Sequence, residues 1–134
     1  MNYDTFVDMV AQRAGVDQER AVELSRATLQ TLADRLTSGE VMDLAAQLPQ
    51  PLQALIQNPP DIAERFDASV FVDRVAERAN VDAGLARNGA RAVLTTVREA
   101  VTGGEFDDVM SQLPRDFRDL VEPSLMPGGR ARKR

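Results

Sequence analysis

The stretch Thr102–Pro114 reads TGGEFDDVMSQLP, and Thr37–Pro49 reads TSGEVMDLAAQLP. Adding 65 to a residue number carries one onto the other. The match extends without a gap from Tyr3–Gln57 to Ala68–Glu122, with about 22 of roughly 55 pairs identical. A segment of that size exposes much of the surface it would need to bury, so two such segments are expected to pack on each other. The expected fold is all-α: two pseudo-symmetric three- to four-helix units in one compact helical bundle. The expected divisions are a first repeat at 1–57, a Pro-rich linker at 58–67, a second repeat at 68–122 and a disordered basic tail at 123–134.

Each repeat reads as the same series of helices. Phe6, Val7, Val10, Ala11 and Ala14 recur at helical spacing behind a cap at Asp4 or Thr5. Gly15, matched by Asn80, suits a left-handed helix end. Asp17 and Asp82 are placed to cap the long second helix. Its apolar face runs through Ala21, Leu24, Ser25, Thr28, Leu29, Leu32 and Leu36, and again through Ala86, Ala90, Val93, Leu94, Val97 and Val101. Gly39 and Gly103-Gly104 are expected to stop these helices. A third helix starts near Glu40 or Glu105 and ends at Pro49 or Pro114, and a short fourth helix follows. In the linker, Asn58-Pro59-Pro60-Asp61 reads as a stiff turn, with one helical turn over Ile62–Phe66.

Composition removes whole classes of chemistry. The 134 residues contain neither cysteine nor histidine, so thiol nucleophiles, imidazole bases and the common zinc ligand sets are absent. The N-terminus lacks the pattern of a secretory signal, and no apolar run is long enough to span a membrane, so a cytoplasmic protein is expected. The net charge of -5 is uneven. Arg130, Arg132, Lys133 and Arg134 lie at the C-terminus and leave 12 basic against 21 acidic groups before them, a charge of -9 that repels nucleic acid. Four terminal charges without an aromatic neighbour give only weak, salt-sensitive nucleic-acid attachment.

Polar residues identical in both repeats are the natural site candidates: Asp8 and Asp73, Arg13 and Arg78, Arg26 and Arg91, Thr31 and Thr96, Asp43 and Asp108, Gln47 and Gln112. Arg26 and Arg91 read as structural, with stems on the core and Arg26 expected to pair with Asp8 or Asp43 of its own repeat. Glu105, Asp107 and Asp108 form the densest acidic run. The first repeat does not keep it, and helix N-termini ordinarily collect acids, so no metal or cofactor is expected there. Gly84 and Gly89 replace Glu19 and Leu24 inside the second long helix, each at a cost of up to about 1 kcal/mol relative to alanine. A close helix approach, an indentation that receives a partner, or helix fraying would account for them.

The segments YDTFVDMVAQRAGV, TLADRLTSGE and DLAAQLP together resemble the bacterial domain-of-unknown-function family 2267, over Tyr3 to Glu122. The resemblance implies an all-helical cytoplasmic protein without an established biochemical activity, and it carries no functional residues over. With no catalytic signature, the expected role is a non-enzymatic module that presents a helical surface to an unknown protein partner or to a second copy of itself. Gly84, Arg87, Asn88 and Arg91, where the repeats diverge most, are the expected contact surface. The alternatives are nucleic-acid association through the tail and, last, a carboxylate-based enzyme.

Overall fold

The computed structural model describes residues 1–56 and 63–121. In chain order, the N-terminal half contains α1 (Tyr3–Ala14), α2 (Gln18–Arg35), α3 (Ser38–Gln47) and α4 (Gln50–Gln53), which runs into a 3-10 turn at Ala54–Ile56. The C-terminal half contains α5 (Ala68–Ala79), α6 (Ala83–Ala100), α7 (Gly103–Ser111) and a 3-10 segment, Arg115–Leu120. The described residues form no strand, and no helix among them is long and apolar enough to cross a membrane.

Local chemistry sets most boundaries. Asp17 and Asp82 cap α2 and α6 by accepting from the N–H groups of Arg20 and Leu85. Gly15 (φ 68°) and Asn80 (φ 57°) end α1 and α5 in the left-handed region. Other expectations are corrected. The α1 cap is Asn2, which accepts from Thr5 N, because Asp4 and Thr5 already lie in the first turn. Gly39, Gly103 and Gly104 do not stop the long helices. Thr37 and Thr102 cap the next helix by accepting from the N–H groups of Glu40 and Glu105, which draws the glycines into the first turns of α3 and α7. Residues 63–67 are not helical, and Glu64 N donates to the Asp34 carbonyl at 2.9 Å. The turn expected at Asn58–Asp61 and the tail beyond Glu122 lie outside the described residues.

The halves interlock. α1 packs on α2 and on α6, α5 packs on α6 and on α2, and α2 crosses α6. Each short first helix therefore lies against the long helix of both halves. One core results, with Phe6, Phe71, Phe117, Leu24, Leu29, Leu32 and Leu120 fully or almost fully enclosed. Polar contacts at the seam come in matched pairs. Arg13 donates to Thr96 Oγ1 at 2.9 Å and pairs with Glu99. Arg78, 65 positions on, donates to Thr31 Oγ1 at 3.0 Å and pairs with Asp34 at 2.8 Å.

The crossing of α2 and α6 explains one of the two unusual glycines. A Cβ built on Gly89 would stand 2.6 Å from Leu24 Cδ2, far inside contact distance. Gly89 is the matched position of Leu24, so the leucine fills the space that its counterpart vacates. Gly84 has no such reason, since its Cβ would meet only Asp82 Oδ1, at an ordinary 3.5 Å.

Two substitutions test this packing. Gly89→Ala should destabilise by about 1–3 kcal/mol through overpacking, and the cost should vanish in a Leu24→Ala background. Gly84→Ala should be neutral or stabilising by several tenths of a kcal/mol. Urea denaturation of the four variants reads the coupling. A second expectation concerns Thr28, whose buried hydroxyl has no hydrogen-bond partner among the described residues. Its matched residue is Val93, also buried. Thr28→Val should therefore stabilise by about 1 kcal/mol, because it removes an unpaired polar group without changing shape. An unchanged or lower melting temperature would count against that assignment.

Candidate functional site

The packing of α3 against α7 brings the repeated TxGE and QLP motifs face to face. In an ordinary capping box, the glutamate three residues into the helix turns back to accept from the N–H of the capping threonine. Here a glutamine from the other half does that. Gln112 Oε1 accepts from Thr37 N at 2.9 Å, and Gln47 Oε1 accepts from Thr102 N at 2.8 Å. The two glutamates are released from the cap. Glu40 and Glu105 turn into the interface and are 9 % and 7 % exposed.

Glu40, Asp43 and Glu105 each contribute a carboxylate oxygen to a group whose atoms all lie within 4.8 Å of one another. Asp108 adds its charge from the next turn of α7. Burial first, and then a hydrogen bond to Glu40 and the charges of Glu40, Asp43 and Asp108, push the Glu105 carboxyl up to about 8. Protonated Glu105 can donate to Glu40 across the seam. When both are ionised, Glu40 Oε2 and Glu105 Oε2 are buried without a donor among the described residues.

This cluster differs from the acidic run singled out in the sequence. Glu105 and Asp108 belong to it, but their companions are Glu40 and Asp43 of the other half. Asp107 instead lines an open cleft of about 540 Å³ with Arg98, Phe106, Met110 and Arg118. A second cleft of about 450 Å³ shares Asp107, Met110 and Arg118 with it and adds Arg115. The Arg98 guanidinium lies 5.9 Å from the centre of the Phe106 ring.

The remaining candidates fall into place around these features. Gly84, Arg87 and Asn88 are exposed on the N-terminal half of α6, and Arg91 is half-buried. Arg26 has no carboxylate partner among the described residues. It donates to Gln30 Oε1 at 3.4 Å and to the Arg78 carbonyl at 3.3 Å, because the interlocked packing lays the end of α5 across α2. Arg91 correspondingly donates to the Asp119 carbonyl at 3.1 Å. Asp8 accepts from Gln18. Arg130, Arg132, Lys133 and Arg134 lie outside the described residues.

The fold and its seam thus define an all-helical bundle with a buried acidic cluster and an arginine-lined cleft. A family model described as uncharacterized conserved protein (DUF2267) matches residues 3–120, and the chain belongs to that family. No curated protein matches it.

The raised Glu105 carboxyl gives a signed pH dependence. Between the ordinary value of 4.5 and about 8 the folded chain holds a proton that the unfolded chain has released. The associated stability is complete below that window and is lost as pH rises through it. The melting temperature should be higher near pH 5.5 than near pH 8.5. Glu105→Gln should raise the value at the alkaline end and flatten the profile, and an equally steep profile in the variant would refute this.

Proposed function

We propose that the chain is a non-enzymatic protein-interaction module whose working face runs along α6 into the cleft beside α7, and that it takes an acidic, partly apolar segment of a protein partner. Arg87, Arg91 and Arg98 recur at spacings of four and seven on α6 and share one helix face. Arg115 and Arg118 on the adjoining 3-10 segment extend the same basic surface into the clefts. The matched positions in the N-terminal half are Val22, Arg26, Ala33, Gln50 and Gln53, so four of these five arginines are peculiar to one half.

The observation that carries the reading is a cleft lined by Arg98 and Arg118 together with Phe106, Met110 and one acid, Asp107, on a body whose charge is otherwise strongly negative. None of Arg87, Arg98, Arg115 and Arg118 forms an ion pair with a described carboxylate. Such guanidinium groups offer bidentate hydrogen bonds to an incoming carboxylate, and Phe106 and Met110 supply apolar area. The contact surface expected from the sequence, Gly84 to Arg91, forms the outer end of this face. The division into repeats 1–57 and 68–122 belongs to the same proposal, with the second repeat specialised for binding.

The direct test uses a fluorescent peptide that alternates glutamate pairs with leucine. It should bind with micromolar affinity at low salt. Arg98→Glu with Arg118→Glu should weaken it at least tenfold, and salt should do the same. Tighter binding of an oligonucleotide, loss only on deleting Arg130 to Arg134, or concentration-dependent dimerisation insensitive to Arg98 and Arg118 would each contradict the reading.

A further inference from the structure

We infer that Glu40, Asp43 and Glu105 form a binding site for a single divalent cation of calcium size, at the seam where α3 meets α7. The inference is independent of the arginine face. It departs from the expectation of no metal drawn from the sequence, because the ligands come from both halves and no single stretch contains them.

Three observations support it. First, the carboxylate oxygens converge. Three atoms no more than 4.8 Å apart all lie within about 2.8 Å of some common point, within reach of the 2.3–2.6 Å of calcium–oxygen bonds, and calcium's flexible coordination suits carboxylates drawn from two helices better than the near-ideal octahedron that magnesium demands. Second, once Glu105 gives up the proton it shares with Glu40, Glu40 Oε2 and Glu105 Oε2 are both buried with no hydrogen-bond donor among the described residues. A buried ionised carboxylate without a partner is costly, and a cation removes that cost for both at once. Third, the backbone N–H groups that such glutamates normally bond are taken by other acceptors. Gln47 and Gln112 take over the threonine N–H groups, which leaves Glu40 and Glu105 free to serve as ligands.

The arrangement also sets the character of the site. Asp43 is exposed, so the outer side of the cation stays open to water, which calcium accepts readily among its six to eight ligands. Asp108 adds a further negative charge close by. Opposing these, Glu40 and Glu105 lie in the first turns of α3 and α7, where the helix dipoles favour carboxylates and disfavour a cation. Affinity should consequently be moderate, with a dissociation constant on the order of 10⁻⁵ to 10⁻³ M, the weaker part of the range of protein calcium sites.

The test is calorimetric titration of the full chain with calcium chloride near pH 7.5, after chelator treatment, with a parallel thermal melt. One site per chain and a saturable rise in melting temperature are expected. Glu40→Gln, Glu105→Gln and Asp43→Asn should each weaken binding at least tenfold. Asp107→Asn, an exposed acid on the same helix turned to the neighbouring cleft, should leave it unchanged. Because the glutamine variants relieve repulsion on their own, the deciding quantity is the calcium-induced change within each variant. No saturable response up to about 10 mM calcium, a response of equal size in Glu105→Gln, or a stronger response to magnesium would overturn the assignment.

Discussion

The close crossing of the two long helices is the constraint on which the rest depends. α2 and α6 approach until Leu24 occupies the space beside Gly89, and a side chain at both positions would force them apart. With the long helices this near, α1 reaches α6 and α5 reaches α2, so the apolar faces of both halves close over a single interior. Val10 and Val75, Phe6 and Phe71 are then enclosed as matched residues in that one core. The polar seam follows the same logic. Arg13 and Arg78 lie at the last turns of their short helices, and each bonds a threonine and a carboxylate of the opposite long helix.

The crossing also determines what happens at the far end of the bundle. It aligns the N-termini of α3 and α7, so that each glutamine caps the opposite helix and the freed glutamates meet. Burying two carboxyls against each other is unfavourable unless a proton or a cation neutralises part of the charge. The same geometry therefore yields both the raised Glu105 carboxyl and the orphaned oxygens. The neighbouring cleft along α7 differs, lined by Arg98 and Arg118 with Phe106, Met110 and Asp107. One helix thus borders both an acidic pocket shared by both halves and a basic surface built chiefly by one.

Much of the helical architecture was legible in the sequence because its signals are local. The apolar spacing of Phe6, Val7 and Val10, the capping aspartates at 17 and 82, and the left-handed Gly15 and Asn80 each act within one or two turns. Gly39 and Gly103-Gly104 misled because glycine is common both after a helix and within a first turn, and the capping threonines decided between the two. The site was less legible. Asp43 and Asp108 stood out as identical pairs, but Glu40 and Glu105 read as ordinary first-turn acids. Nothing in the order of residues states that glutamines 75 and 55 positions from the capping threonines will take their place at the cap. The partner of Arg26 is hidden from the sequence for the same reason, since the Arg78 carbonyl comes from a helix that only the interlocked packing brings near. The identity of Thr, Glu and Gln in both TxGE…QLP motifs was the signal that could have pointed to the seam.

An interlocked bundle of this kind has no half that owns a complete core, and separating the halves exposes the faces of both long helices. The most direct measurement is to express residues 1–60 and 61–134 separately and record their circular dichroism alone and mixed. Each fragment alone should be largely unfolded, and an equimolar mixture should regain helicity and melt in one cooperative transition. A fragment that folds and melts cooperatively by itself, with no gain on mixing, would contradict the account.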